Sequence, residues 1–222
     1  MTMRGATVRG ALAVLTAFLA TPLAQAARLP PPGSYVLNRI QPAPSARLLN
    51  AEGKTVELDS ATRGAVTALG FFYGQCSDPQ GCPIAWATFE AARVEASVDP
   101  LLETRLRLVF VSLDPERDPP SVVRLLQEGE GQGAIPWLFL TGPSAGELAP
   151  LLAALGQDIG YETDAAGRRT GVVNHLLKVF LIDPEGYVRE IYTTAFLTPE
   201  NLLNDARTLA LAFPQASNGA SP

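Results

Sequence analysis

The sequence predicts an α/β domain built on a mixed central sheet, with helices on both faces and a β-hairpin at its N-terminal side. Three observations lead there. Short apolar runs rich in β-branched and aromatic residues alternate with segments whose apolar residues recur at steps of three and four. The last two such runs are joined by a tight turn instead of a helix. Composition supplies the core: 47% of the 222 residues are hydrophobic and 18% charged, which excludes global disorder and suits one domain plus an export segment. With a net charge of −5 and neither a polybasic stripe nor an acidic tail, nucleic acid is excluded as a partner.

Residues 1–26 read as a signal peptide. Arg4 and Arg9 give a positive start, Gly10 to Ala20 is uncharged and apolar, Pro22 breaks the run, and Ala24-Gln25-Ala26 is a small-x-small cleavage pattern. The run is too short to cross a hydrocarbon core of roughly 30 Å, so cleavage is expected over a retained anchor. Residues 27–45 form a proline-rich lead-in, with Pro30, Pro31, Pro32, Pro42 and Pro44. The folded domain is expected over 46–213 and a flexible tail over 214–222.

The domain opens on a hairpin, with Ala46 to Leu49 and Lys54 to Leu58 flanking a turn at Asn50-Ala-Glu-Gly53. Val66 to Tyr73 is a buried strand. From Pro83 a helix follows, with Ile84, Ala87, Ala91, Val94 and Val98 on one face. Leu106 to Leu113 is the second strand, and Asp118-Pro-Pro-Ser opens a helix to about Gln127. Trp137 to Leu140 is the third strand, and Ser144 to Leu155 a helix closed by Gly156. Gln157 to Asn174 reads as a polar, functional loop. Leu176 to Ile182 and Tyr187 to Thr193 pair around the turn Asp183-Pro-Glu-Gly186, and Thr198 starts a last helix to Phe213. Strand-helix-strand units require parallel pairing with right-handed crossovers, and a closing hairpin adds antiparallel strands. This order, βαβ followed by ββα, is the thioredoxin arrangement.

Chemistry concentrates in the chain's two cysteines and one histidine. Cys76-Ser-Asp-Pro-Gln-Gly-Cys82-Pro83 lies between the first core strand and its helix. A thiol at a helix start faces the positive dipole end and free N–H groups, which favour the thiolate, the form that attacks disulfides and binds soft metals. The plain alternative is a structural disulfide, usual for two cysteines in an exported protein. Its small ring contributes only about 2 kcal/mol in the chain-entropy model. A lone histidine is most often a hydrogen-bonding residue. In a thioredoxin arrangement, however, the loop before the strand that follows His175 lies over the cysteines. Cys76, Cys82 and His175 together would form a soft three-ligand site suited to copper. No fourth protein ligand for structural zinc is evident.

The cysteine pair followed by proline, the stretch Leu108-Val-Phe-Val-Ser-Leu-Asp-Pro-Glu-Arg-Asp118, and His175 followed by Val179-Phe-Leu-Ile-Asp-Pro-Glu-Gly186 resemble the Sco/SenC family over Ala46 to Phe213. The resemblance implies a thioredoxin fold, an exported or anchored location (periplasmic in a bacterium), and a Cu(I)/Cu(II) site formed by both cysteines and the histidine. It also implies delivery of copper to, or reduction of the cysteines of, the binuclear copper centre of cytochrome c oxidase. The partner would then be a copper-accepting respiratory oxidase subunit or another exported cuproprotein, with the membrane involved only through that partner or an uncleaved N-terminus. Three departures stand out: five residues between the cysteines where the family usually has three, Asn174 where Asp commonly precedes the histidine, and Leu176 where a hydroxyl residue commonly follows it.

An alternative on the same residues is an exported thiol-disulfide oxidoreductase without a metal, using Cys76 and Cys82 as its redox pair. A third is a non-catalytic binding domain stapled by those cysteines. A thiol peroxidase would need a threonine-containing pattern before its cysteine, where Tyr73 and Pro79 stand instead. Asp114 reads as a turn residue and Asp118 as a helix cap. Trp86 and Trp137 read as packing, and Arg168 and Arg169 as a solvated loop.

Overall fold

The computed structural model describes residues 29–76, 78–79 and 81–214; the expected signal peptide and residues 215–222 lie outside them. Its centre is a six-stranded mixed sheet of order β1-β10-β9-β4-β5-β6. The parallel half is β4 (Val66–Phe72), β5 (Leu106–Ser112) and β6 (Trp137–Leu140). The antiparallel half is β9 (Val179–Ile182), β10 (Tyr187–Tyr192) and the two-residue β1 (Gln41–Pro42). All seven residues of β4 are buried, so both faces of the central strand are covered. This is the mixed, thioredoxin-like sheet that the alternation of periods predicts.

The N-terminal hairpin forms as β2 (Arg47–Leu49) and β3 (Thr55–Glu57), its turn fixed by Asn50, whose side-chain carbonyl accepts the Glu52 and Lys54 N–H groups. Gly53 takes φ 71° there, which a β-carbon would resist. A short helix α1 (Leu58–Thr62), not expected from the sequence, follows directly. The proline-rich lead-in packs against the last helix, α5 (Pro199–Ala212): the Gly33 N–H donates to Thr208 and the Tyr35 hydroxyl to Asp205.

Helix α2 (Cys82–Ala96) corrects the expected face. It buries Ala85, Thr88, Phe89, Ala92 and Ala96, whereas Val94 and Val98 are 72% and 81% exposed. Close approach selects the alanine stripe, because α2 packs on both β4 and α5. Helices α3 (Pro120–Glu130) and α4 (Ala145–Ala154) follow β5 and β6, α4 capped by the Ser144 hydroxyl on the Glu147 N–H.

The expected polar loop is instead a second hairpin. Strands β7 (Ile159–Thr163) and β8 (Arg169–His175) pair antiparallel around Asp164-Ala-Ala-Gly167, outside the main sheet. His175 therefore ends a strand, where the sequence reading had it precede one. Among the described residues no helix is long and apolar enough to cross a membrane.

Candidate metal centre

The site forms where β4 ends. Tyr73 leaves the strand, the Cys76 N–H closes a turn onto the Tyr73 carbonyl at 3.1 Å, and the chain reaches Cys82 as the first residue of α2. Cys76 is half-buried, Cys82 is 5% exposed, and the two thiols are free. Helix position alone favours a thiolate at Cys82. Burial outweighs it: desolvation, then the neighbouring Cys76 side chain, pushes the Cys82 thiol well above its ordinary range. Cys82 is thus a protonated thiol when no cation is near.

His175 comes to these sulfurs from the end of β8. Its Nε2 lies 4.0 Å from Cys82 Sγ, and its Nδ1 lies 3.2 Å from the Leu176 carbonyl oxygen. A carbonyl only accepts, so Nδ1 carries the proton and Nε2 presents its lone pair to the sulfur. Burial lowers the imidazole pKa, against opposing effects of the Leu176 carbonyl and of Asp78, and the ring is neutral at pH 7. Of the three side chains singled out from sequence, the structure brings His175 to Cys82 and sets Cys76 beside Cys82.

Tyr73, which sequence reading weighed only as a misfit to a peroxidase, sits between them. Its ring meets the His175 ring edge-on, centroids 5.9 Å apart, and it is 4% exposed. Burial first, then the Cys76 side chain, pushes its phenol up to about 12.

Two braces hold the approach. Asp118, read as a helix cap, does not cap α3, whose N-cap is Pro119. Its Oδ2 instead accepts the Gly74 N–H at 2.9 Å and the Ser112 hydroxyl at 2.6 Å, fixing the turn that carries Cys76. Burial raises the Asp118 pKa and these two donors oppose the rise. Arg117 bonds Asp114 at 3.0 Å and the Arg169 carbonyl at 2.9 Å, and Arg169 pairs with Glu116 at 3.0 Å and lies over the Tyr161 ring. The Tyr161 hydroxyl donates to the Leu113 carbonyl at 2.9 Å. Arg169 is therefore a joint between hairpin and body, while Arg168 stays exposed beside Asp164. Trp86 and Trp137 pack as expected, 5.5 Å apart in a cluster with Phe72, Phe89, Phe110 and Phe139.

The donor set suits a soft ion. Metal bonds of about 2.3 Å to sulfur and 2.0 Å to nitrogen together span about 4.3 Å, so one ion fits between Cys82 Sγ and His175 Nε2 as they stand. Among the described residues no group of three or more His, Cys, Asp or Glu side chains is placed to hold a metal ion as it stands. What is assembled is the sulfur–imidazole pair, with Cys76 adjoining it. An apolar cavity of about 210 Å³ opens beside the thiols, walled by Phe72, Trp86 and Leu126.

The family model described as SCO1/SenC matches residues 43–211. No curated protein sequence matches the chain. A SCO1/SenC family lipoprotein from Bacillus anthracis str. Ames superposes with TM-score 0.65 at 20% identity, covering 79% of this chain and 99% of its own. Arabidopsis thaliana ScoI with copper bound gives 0.58 at 21%, covering 73% and 96%. BsSco, described as a Sco-family cytochrome c oxidase assembly protein with a disulfide switch, gives 0.59 at 22%, covering 78% and 96%.

Proposed function

The chain belongs to the SCO1/SenC family, and from that premise we propose that it is an exported copper-binding chaperone whose cargo is held by Cys76, Cys82 and His175. The carrying observation is the 4.0 Å approach of His175 Nε2 to Cys82 Sγ, with Nδ1 tied back to the Leu176 carbonyl. That second hydrogen bond orients the ring and keeps the ligating nitrogen unprotonated. Copper is the soft-ligand cargo that two sulfurs and an imidazole favour, and Sco proteins with copper bound share the fold. Cys76, whose side chain touches that of Cys82, is the third donor and the more exposed one. An acceptor's ligand would meet the ion from that side, replacing Cys76 first while Cys82 and His175 still hold. By the chemistry of the cargo the acceptor is a cuproprotein outside the cytosol, a respiratory oxidase subunit being the one the family points to.

Titration of the reduced protein with Cu(I) against a chromophoric competitor tests this. One ion per chain is expected, with strong loss of affinity in His175→Ala. Failure to hold copper, or unchanged binding in that variant, overturns the reading.

A second activity is supported by the asymmetry of the thiols. Cys76, half-buried, is placed to attack a partner disulfide, releasing one partner thiol and forming a mixed disulfide. Buried Cys82 then attacks the Cys76 sulfur, releasing the second partner thiol. Its proton has a neutral acceptor in His175 Nε2, 4.0 Å away. Two electrons pass to the partner, and Cys76–Cys82 is left oxidised. A measured reduction potential decides whether such a step runs.

A further inference from the structure

The Leu176 carbonyl that holds the His175 ring accepts twice. His175 Nδ1 lies 3.2 Å from its oxygen, and the side-chain Nε2 of Gln157 donates to the same oxygen at 2.9 Å. This carbonyl needs an outside hold. Strand β8 ends at His175 and β9 begins at Val179, so Leu176 belongs to neither strand, and it is 73% exposed. Gln157, by contrast, stands on a rigid base. Helix α4 closes with Gly156 at φ 58°, the Gly156 N–H donating to the Ala153 carbonyl at 3.0 Å and the Gln157 N–H to the Leu152 carbonyl at 2.8 Å. That double closure needs a left-handed residue, which glycine supplies, and it fixes the residue that follows.

Gln157 is 2% exposed, yet among the described residues its Oε1 has no hydrogen-bond partner. Turning the amide over would set Oε1 against the Leu176 oxygen, acceptor against acceptor. A buried amide oxygen without a donor is costly, and an apolar side chain would fill this place without that cost. Packing alone therefore does not call for glutamine here. What only the amide supplies is the N–H on the Leu176 carbonyl.

Resting on the copper-binding reading above, we infer that Gln157 is a positioning residue for His175. Its side-chain N–H holds the plane of the Leu176 peptide so that the carbonyl faces Nδ1–H. Nδ1 then keeps the ring's proton, and Nε2, 4.0 Å from Cys82 Sγ, keeps its lone pair for the ion. Two donors on one oxygen do not reinforce each other as a chain of bonds does, so the effect is one of orientation. Through one carbonyl the end of α4 is joined to the ligating ring.

The test replaces Gln157 by Met, which fills a similar volume and whose side chain carries no N–H. His175 is the chain's only histidine, so its ring signals in long-range proton–nitrogen NMR are unambiguous. In the reduced, copper-free protein at mildly alkaline pH, wild type should show the Nδ1–H tautomer alone and Gln157→Met a mixture with Nε2–H. Cu(I) affinity should fall about tenfold in the variant, while the urea midpoint holds or rises because the unpaired Oε1 is gone. Lys178→Met is the control for loosening, since Lys178 bonds the Gly156 carbonyl and ties the same segment to α4 without a bond to the Leu176 carbonyl. It should keep the single tautomer and the affinity. A single tautomer in Gln157→Met, whatever its stability, or the same mixture in Lys178→Met, overturns the inference. A wild-type chain that takes up no copper instead overturns the proposed function and leaves the tautomer result standing.

Discussion

Asp118 holds Gly74 from below, its Oδ2 accepting the Gly74 N–H across 2.9 Å. The two residues are far apart in sequence, one ending β5's outgoing loop and the other opening the cysteine turn, so this bond sets the height of Cys76 above the sheet. Asp118→Ala leaves the fully buried Ser112 hydroxyl without its acceptor and frees the turn. An unpaired buried hydroxyl costs about 1–3 kcal/mol. The urea midpoint should fall accordingly with an unchanged slope. Gly74→Ala should also destabilise, because a β-carbon there would stand 2.6 Å from Asp118 Oδ1. An unmoved midpoint in both would show that the turn is not held this way.

The thiols should differ in reactivity. Cys76 is half-buried and Cys82 is 5% exposed, with its thiol pushed up by burial and then by Cys76. Only the thiolate alkylates. Brief iodoacetamide treatment of the reduced protein, followed by peptide mass spectrometry, should label Cys76 first and Cys82 only on unfolding. Equal labelling would remove the order of attack given above.

Acid should loosen the fold through His175. Burial lowers its pKa below the ordinary 6.5. Between 6.5 and that lower value the unfolded chain holds a proton that the folded chain lacks, so stability rises with pH in that window and is lost as pH falls through it. Above 6.5 both states are neutral and the contribution is flat. Denaturation midpoints measured from pH 7.5 to 5 should therefore drop, and His175→Gln should flatten the drop. A variant with the same acid dependence as wild type would assign the loss to other groups.

The place of the two cysteines between β4 and α2 and the strand–helix order were legible because they rest on local signals. A buried strand reads as a continuous apolar run, and β4 and β5 are such runs. The helix face of α2 was not. Large aliphatics drew the reading to Val94 and Val98, while the packed face is made of alanines, whose burial depends on how closely β4 and α5 approach. The β7–β8 hairpin was hidden for a related reason. It joins no main sheet and buries only alternate residues such as Gly171 and Val173, so it carries little apolar weight. Its legible signal was the Asp164-Ala-Ala-Gly167 turn between two β-prone runs, with Asp164 accepting the Ala166 and Arg168 N–H groups. The bracing role of Asp118 depends on Gly74, a contact no local pattern encodes.

A hairpin outside the main sheet needs its own fastening, and Arg117 supplies it. One guanidinium nitrogen bonds Asp114 and another the Arg169 carbonyl on β8, so a single side chain ties the strand bearing His175 to the loop after β5. Asp114 is 1% exposed, and among the described residues its other oxygen, Oδ1, has no hydrogen-bond partner. Removing Arg117 leaves that buried carboxylate without its cation, a loss of about 1–3 kcal/mol for a pair whose Arg117 side chain is itself 31% exposed. The local effect should exceed the global one. In Arg117→Met, amide exchange across 159–175 should quicken more than exchange in β4 and β5, because the hairpin opens without the sheet. Copper affinity should then fall several-fold, since His175 must be brought back to the sulfurs at each binding event. Arg117→Lys should restore the charge at Asp114 but not the second bond to the Arg169 carbonyl, and so recover stability while leaving the hairpin fast. Equal protection of hairpin and sheet in Arg117→Met would mean that Tyr161 and Arg169 alone suffice to hold it.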